Sequence, residues 1–415
     1  MGRKIIITVV IILFGGSTDL FAQTVWTKDS GNPVLDGTFG TWDGGGVILP
    51  SVIFESETFK MWYHGSDGSA TRIGYATSPD GLTWTRSESN PVLDLGSSGS
   101  WDGVSILDPT VLFDGSIYHM WYQGYNGSSR QIGYASSPDG VTWTKSQSNP
   151  VLDTGSSGSW DSLELRSPFV ILDGDLYRMW YTGSNGSAQQ FGYATSTDGV
   201  IWTKHAGNPI MGRGVGGSWD DVWMASPRVI MNGSSYEMLY SAFDGSNVRI
   251  GYATSEDGLA WTKFDGNPVL SQGSFGAWDS NFLFVGTVIL SESTYEMWYG
   301  GFNGGIWKIG YATSILGQVS VQSSENPIET FNLSQNFPNP FNPETKIEYT
   351  LAKPGEAILT IYNIHGGQVA RFVNGKQNAG NYEVSWNASG MASGIYFYRL
   401  QAGEFVQTRK MVLLK

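Results

Sequence analysis

The sequence predicts an all-β protein in which a five-bladed β-propeller, closed by its N-terminal strand, is followed by an immunoglobulin-like β-sandwich. The 415 residues include 55 glycines and 14% aromatic residues, a composition typical of strands joined by tight turns. A block of 59 residues recurs five times, and self-similarity at such a period indicates a propeller or a related repeat architecture. The last copy lacks one strand, which the mature N-terminus supplies.

The first 22 residues have the pattern of a signal peptide. Arg3 and Lys4 precede an apolar run over residues 5–14, which is too short to span a membrane. Residues 20–22 then offer a cleavage site. We therefore expect an exported protein, and no later stretch of the sequence is suited to cross a bilayer as a helix.

Each copy of the repeat reads as four short antiparallel strands. Its recurring motifs are Trp-Asp, Met-Trp-Tyr and Gly-Tyr-Ala. In the third copy we predict strands over residues 168–172, 176–181, 191–195 and 201–204, separated by Asp-Gly and Asn-Gly hairpin turns. Four strands in each of five copies predict a five-bladed propeller over residues 23–318.

The two ends of the repeat region predict closure of the propeller. The fifth copy stops after residues 310–314 and lacks the last strand, whereas residues 26–28 carry the Trp-Thr-Lys sequence of that strand. Pairing of the two would remove an open sheet edge. Residues 319–331 read as a polar linker, and residues 332–415 read as a separate small β-sandwich.

Three runs characterise the C-terminal part: Gln-Asn-Phe-Pro-Asn-Pro-Phe-Asn-Pro at 335–343, Ile-Tyr-Asn-Ile-His-Gly at 361–366, and Lys-Met-Val-Leu-Leu-Lys at 410–415. With these runs the segment resembles the type A C-terminal sorting domain of the type IX secretion system of the Bacteroidetes and their relatives. The resemblance implies recognition by the type IX machinery, transit through the outer membrane, and a secreted or cell-surface protein.

The repeat region contains Ser-Pro-Asp-Gly-Leu-Thr-Trp at 78–84, Asn-Pro-Val-Leu at 90–93 and Asp-Pro at 108–109. It resembles the five-bladed propellers of arabinanases and β-xylosidases, of invertases and levansucrases, and of β-mannoside phosphorylases. The resemblance implies a glycoside hydrolase-like protein that acts on a polysaccharide or oligosaccharide. The alternative is a non-catalytic glycan-binding or surface propeller on the same scaffold.

Residues that recur in every copy are expected to serve the scaffold, and residues that depart from the repeat are candidates for function. Fourteen of the 17 tryptophans recur, and we expect them to pack within and between blades, as we expect the Trp-Asp aspartates to be structural. The copies differ most where the innermost strand begins. The residues that depart from the repeat there are Asp108, Glu164, Arg166, Asp221, Trp223 and Arg228.

The predicted catalytic residues are the three carboxylates of this set, Asp108, Glu164 and Asp221. The predicted substrate-binding residues are Trp223, Arg166 and Arg228. Glycoside cleavage needs carboxylates that flank the scissile bond, and sugars stack on exposed aromatic faces. The alternative is that Glu164–Arg166 and Asp221–Arg228 are ion pairs that plug the central channel.

The resemblance to arabinanase-type propellers implies a pKa-modulating aspartate at Asp108 and a general acid at Glu164. Leu49 stands at the base position of the first blade and cannot accept a proton. Either Asp221 substitutes for the base, or the chemistry differs, or there is none. A phosphorylase would need no protein base, and Arg166 and Arg228 could hold its phosphate, but the Glu-Asp-x-Arg run of that family is absent.

Composition and charge limit the remaining partners. There is no cysteine, and His64, His119 and His205 occupy different repeat positions, so we predict neither a metal site nor a cofactor. The formal net charge of −13 argues against a nucleic-acid partner. The expected partners are a carbohydrate and the type IX secretion machinery.

Overall fold

The computed structural model describes residues 26–291, 293–315, 331–353, 355–377, 380–403 and 405–414. Every regular element in these ranges is a β-strand, which confirms the predicted all-β class. None of them contains a helix that could span a membrane. The chain divides into two compact units, residues 1–317 and 318–415. The predicted signal peptide, and all but the last residue of the predicted linker, lie outside the described residues.

The described strands of the first unit form five groups of four antiparallel strands. The chain begins with β1 (Thr27–Lys28). Group one is β2 (Gly46–Glu55), β3 (Thr58–Ser66), β4 (Thr71–Ser78) and β5 (Thr85–Arg86). Group two is β6 (Ser105–Phe113), β7 (Tyr118–Tyr125), β8 (Arg130–Ser137) and β9 (Thr144–Lys145).

The next two groups repeat this order. Group three is β10 (Glu164–Asp173), β11 (Leu176–Ser184), β12 (Gln189–Ser196) and β13 (Thr203–Lys204). Group four is β14 (Trp223–Asn232), β15 (Ser235–Phe243), β16 (Val248–Ser255) and β17 (Thr262–Lys263). Group five contributes β18 (Phe282–Ser291), β19 (Thr294–Phe302) and β20 (Lys308–Ile315) from its own segment of the chain.

Group five is completed by the N-terminal strand, because β1 pairs antiparallel with β20. The first strands of successive groups contact one another, and β18 of the last group contacts β2 of the first. At that junction the backbone N–H of Val52 donates to Oγ1 of Thr287 over 2.9 Å, and the Thr287 hydroxyl donates to the carbonyl of Pro50 over 2.7 Å. The first strands of the five groups therefore contact each other in a closed cycle.

The repeated Trp-Asp and Gly-Tyr-Ala motifs meet in each group. In group two the indole of Trp101 lies directly over two glycines: a Cβ atom would be 2.1 Å from it at Gly124 and 2.3 Å from it at Gly133. Only a residue without a side chain leaves room for the tryptophan. The same contact with the glycine of Gly-Tyr-Ala is made in the other groups by Trp42, Trp160, Trp219 and Trp278.

The aspartate of each Trp-Asp motif is buried and joins a turn to the last strand of its group. Oδ1 of Asp102 accepts a hydrogen bond from the hydroxyl of Ser100 over 3.0 Å, and Oδ2 lies 2.6 Å from Nζ of Lys145. In group five the cation is Lys28 of the N-terminal strand, 2.6 Å from Asp279. This ion pair, like the pairing of β1 with β20, therefore joins the N-terminal strand to group five.

The first strand of each group contains a bulge near its middle, where its register against the second strand shifts. In four groups the bulge holds a residue with φ between 48° and 55°. Side chains disfavour this left-handed conformation, which costs on the order of 1–3 kcal/mol and is found preferentially at ligand sites. The four residues are Leu49, Asp108, Ser167 and Ser226.

The second unit is made of seven described strands in two sheets around one apolar core. The first sheet consists of β21 (Asn332–Leu333), β22 (Glu344–Leu351) and β25 (Gly380–Asn387). The second consists of β24 (Gln368–Gln377), β23 (Gly355–Asn363), β26 (Gly394–Ala402) and β27 (Phe405–Leu413). Ile347 from the first sheet and Leu359 and Met411 from the second are fully buried in the shared core.

Candidate functional site

The predicted site lies at the end of the groups where their first strands begin. In group three, Glu164 begins β10 and pairs with Ser184 at the end of β11 and with Arg130 at the start of β8. This end therefore collects the first residues of the first and third strands and the last residue of the second. At the position of Glu164 the other groups carry Gly46, Ser105, Trp223 and Phe282.

Glu164 is held between two arginines. Its Oε1 forms an ion pair with Nη1 of Arg130, and its Oε2 accepts a hydrogen bond of 2.7 Å from Nε of Arg166 and also pairs with Nη2 of that residue. The guanidinium of Arg130 lies over the aromatic ring of Tyr125, 4.3 Å from its centroid. We refer to Tyr125, Arg130, Glu164 and Arg166 as the ion-pair cluster. The Glu164–Arg166 contact considered from the sequence is present, with a second arginine added.

Asp108 lies at the bulge of group two and is buried. Nδ1 of His64 lies 3.2 Å from its Oδ1, and the Ser167 hydroxyl donates to its Oδ2 over 2.8 Å. Burial acts to raise the pKa of Asp108, but the hydrogen bond and charge of His64, the Ser167 hydrogen bond and the charge of Arg228 outweigh it. The pKa of Asp108 is therefore lowered, and the residue is a carboxylate at neutral pH.

Gln123, on β7, connects Asp108 to the ion-pair cluster. In the amide orientation that satisfies both neighbours, its Nε2 donates to Oδ2 of Asp108 over 3.3 Å and its Oε1 accepts from Nε of Arg130 over 3.1 Å. A hydrogen-bonded path therefore runs from His64 through Asp108, Gln123 and Arg130 to Glu164. The path crosses from group one to group three.

Arg228 is fully buried in β14, beyond the bulge. Its Nε donates to the carbonyl of Gly286 and its Nη1 to the carbonyl of Pro227 over 3.0 Å, while Nη2 has no hydrogen-bond partner among the described residues. Burial lowers the pKa of Arg228 to about 10, although the negative charge of Asp108 acts to raise it. Thr287 stands at the same repeat position and bonds its neighbouring group in the same way. A ligand contact by Arg228 stays a prediction.

Asp221 lies in the loop that precedes β14. Its Oδ2 accepts a hydrogen bond of 2.6 Å from the backbone N–H of Gly217, and its Oδ1 is buried without a partner in the part of the chain that the structure describes. The ion pair with Arg228 that the sequence offered as an alternative is not formed. No described contact links Asp221 to Glu164 or Asp108, so a catalytic role for it stays a prediction.

Groups four and five place six aromatic side chains at this end. Trp223 stacks on Phe243, with ring centroids 5.2 Å apart, and on Phe284, with centroids 5.7 Å apart. Trp307 stacks on Phe302, with centroids 4.7 Å apart. All six are half-buried, so each keeps part of its surface open. We refer to them as the aromatic cluster: Trp223, Phe243, Phe282, Phe284, Phe302 and Trp307.

Sequence reasoning singled out Glu164 and Trp223 but missed their partners. The predicted site rested on the start of the innermost strand, and His64 was considered only as a possible metal ligand. Departures on the second and third strands were the available signal, and they would have found His64, Gln123, Tyr125, Arg130 and Phe243.

Within the described residues no three histidine, aspartate or glutamate side chains are placed to hold a metal ion. His64 contacts Asp108. His119 contacts the Tyr134 hydroxyl at 2.7 Å and Asp114 at 3.0 Å. Both buried histidines therefore belong to hydrogen-bonded networks.

Comparison with known proteins assigns the second unit. Residues 335–414 match the model of the secretion system C-terminal sorting domain. This module indicates type IX secretion, so the protein is secreted or carried at the cell surface.

The fold of the first unit is that of glycoside hydrolase-like propeller proteins. One such structure represents the GH130 family of mannoside phosphorylases, which contains glycoside hydrolases that target β-1,2 mannosidic linkages in Candida mannan. It has a TM-score of 0.60 and 19% identity, over 73% of this chain and 97% of that one.

In sequence, the chain is 32% identical over 243 residues to the uncharacterized protein Rv1502 of Mycobacterium tuberculosis, covering 54% of this chain and 77% of that protein. It belongs to the same family as Rv1502. It is also 27% identical over 168 residues to the A type blood N-acetyl-α-D-galactosamine deacetylase of Flavonifractor plautii. This second match covers 37% of this chain and 20% of that protein.

Proposed function

We propose that the first unit is a five-bladed propeller that binds a glycan outside the cell, between the ion-pair cluster and the aromatic cluster. Its blades are the five four-stranded groups, and the second unit is an immunoglobulin-like sandwich that carries the sorting information. The observation that supports this function is the division of one end of the strands into a charged half and an aromatic half. Neighbouring groups three and four carry Glu164 and Trp223 at the same repeat position.

The two halves match the two kinds of surface on a sugar. A pyranose presents C–H groups on its faces and hydroxyls around its edge. The half-buried indole of Trp223, held by Phe243 and Phe284, offers a preoriented apolar face. The guanidiniums of Arg130 and Arg166 donate hydrogen bonds, and the carboxylate of Glu164 accepts them. The activities named for the fold relative and for the deacetylase likewise concern carbohydrates.

The geometry favours binding without hydrolysis. A general acid must come within hydrogen-bond reach of the leaving oxygen, and both carboxylate oxygens of Glu164 are taken by guanidinium groups. Leu49 occupies the position at which the resemblance implies a base. Asp221 is engaged with the backbone of Gly217. In the proposed role, Glu164 holds the two arginines in place for the ligand.

Hydrolysis is the second candidate, and the path that joins Asp108 to Glu164 through Gln123 and Arg130 favours it. In that mechanism an entering sugar displaces one guanidinium from Glu164, whose carboxylate takes up a proton from solvent and then donates it to the leaving oxygen. Asp108 is the modulating carboxylate, and Asp221 activates the attacking water.

The test is a panel of mannan, arabinan and xylan, scored with the protein lacking residues 1–22 both for retention on the polymer and for release of reducing sugar. We expect retention of at least one polymer without release. Trp223→Ala should weaken this binding by about 1–3 kcal/mol, the range found for stacking of a ligand ring on an aromatic side chain.

Ile201→Ala is the matched control, because Ile201 is an exposed apolar residue in the turn after β12, at the opposite end of that strand from the site. It should bind like the wild type. Sugar release that disappears in Glu164→Gln while binding persists would establish the hydrolase instead. Binding that Trp223→Ala leaves unchanged would place the site elsewhere.

A further inference from the structure

Two phenylalanines project from the loops that lead into the first strands of groups five and one. Phe275 is fully exposed, and Phe39 is 96% exposed. They stand at the same repeat position, and we refer to their segments, residues 273–281 and 37–45, as the rim loops. The other groups carry Ser98, Ser157 and Gly216 at this position.

Both rim loops lie next to the part of the aromatic cluster that group five supplies. The backbone N–H of Asn281, the last residue of one rim loop, donates to the carbonyl of Phe302 over 2.9 Å. Gly46, which follows the other rim loop, pairs with Trp307. The two loops therefore flank Phe302 and Trp307 from either side.

We propose that Phe39 and Phe275 are contacts for further sugar residues of a polymeric glycan whose neighbouring residues occupy the aromatic cluster. The inference rests on the proposed function and deepens it, because it identifies the ligand as a chain rather than a mono- or disaccharide. Stacking on separate aromatic faces suits the successive C–H faces of a sugar chain.

The distribution of apolar residues around the rim supports a ligand that continues from the aromatic cluster. The loop before group four carries Val215, which is 82% exposed, so groups four, five and one have apolar rim residues. Groups two and three, which supply the ion-pair cluster, have Ser98 and Ser157 there. The most exposed apolar residues thus lie on the side of the aromatic cluster, whereas the loops before groups two and three carry only the less exposed Val104 and Leu163, at 41% and 43%.

The open surroundings of the rim loops suit a chain that lies across them. A Cβ atom added at Gly40 or Gly276, the residues that follow the two phenylalanines, would meet nothing within 4 Å. Each phenylalanine is therefore a projecting side chain on an open loop, and its removal should leave the fold intact. Groups two and three carry Ser98 and Ser157 at the same repeat position, so the loop accepts a serine there.

The test compares the double variant Phe39→Ser/Phe275→Ser with the wild type on mannan, arabinan and xylan and on disaccharides of the same linkages. We expect binding of the retained polymer to weaken at least about tenfold in the double variant, and disaccharide binding to stay unchanged. Trp223→Ala should weaken both. Ile201→Ser, which removes another exposed apolar side chain at the far end of its strand, should weaken neither.

Polymer binding that is equal in the double variant and the wild type would overturn this inference and leave the proposed function standing. Equal weakening of polymer and disaccharide would also overturn it, because the phenylalanines would then act on the central site. If the wild type retains none of the three polymers and none of the disaccharides, the proposed function fails, and the inference fails with it.

Discussion

The hydroxyl of Ser167 donates a hydrogen bond of 2.8 Å to the carboxylate of Asp108, and the two residues stand at the same position of successive repeats. Both have a positive φ at the bulge of their strands. One repeat further on, the hydroxyl of Ser226 lies 3.4 Å from that of Ser167. The bulges of three neighbouring groups therefore form a line of polar side chains, which ends where group one carries Leu49.

Asp108→Asn tests the charge in this line. Because the pKa of Asp108 is lowered by folding, its ionisation stabilises the fold fully above the unfolded-state pKa of about 4, and this stabilisation is lost as the pH falls through the folded-state pKa. Asparagine keeps the shape and tolerates a positive φ. We expect the variant to be less stable by about 1–3 kcal/mol near neutral pH, with a smaller difference at about pH 3.

Urea unfolding of both proteins across this pH range measures the difference. Ser167→Ala is the companion variant, because it removes a neutral hydrogen bond and leaves the charge in place. A gap between Asp108→Asn and wild type that stays constant with pH would mean that the Asp108 charge contributes nothing to stability.

Closure by the N-terminal strand can be tested with Trp26→Ala. Trp26 is buried in the core of group five, with its ring centroid 6.3 Å from that of Tyr295. Truncating a buried tryptophan costs about 3–5 kcal/mol, and we expect a loss of this size in the free energy of unfolding. Removal of residues 23–36 should destabilise the first unit further, since β20 and Asp279 also lose their partners.

Thermal denaturation followed by tryptophan fluorescence reports these changes, and Ile201→Ala again serves as the reference for a substitution at the surface. If removing residues 23–36 left the denaturation midpoint unchanged, the N-terminal strand would not be the closing element.

The fit of tryptophan on glycine predicts the effect of a single methyl group. In Gly133→Ala the new Cβ would lie 2.3 Å from the indole of Trp101, and overpacking of this kind costs about 1–3 kcal/mol. Gly216→Ala is the control, because its Cβ would meet nothing within 4 Å. Chemical denaturation should show a lower midpoint for the first variant only, and equal midpoints would contradict the packing described for the motif.

The role of the second unit in export can be tested by deletion. Deleting residues 332–415 removes the matched sorting domain, and the truncated protein should accumulate in the periplasm of a host with a type IX system. Cell fractionation and immunoblotting of full-length and truncated protein measure this. Appearance of the truncated form in the medium or at the cell surface in normal amounts would show that another signal directs export.

The amino-acid sequence by itself determined the all-β class and the sorting domain. Turn dipeptides, aromatic content and the 59-residue period are local or one-dimensional properties, so they can be read without knowing which strands meet. The same period identified Glu164 and Trp223 as candidates for function, because the residue at their shared repeat position differs in all five copies.

Only the tertiary structure decided which side chains meet. Glu164 and Arg166 are close in the chain, but Arg130 lies 34 residues before Glu164, and His64 lies 44 residues before Asp108. These contacts depend on the register between strands of neighbouring groups and on the bulge that interrupts the alternation of side chains along each first strand. The pattern of one strand contains no record of that register, and for that reason it could indicate candidate residues but not their partners.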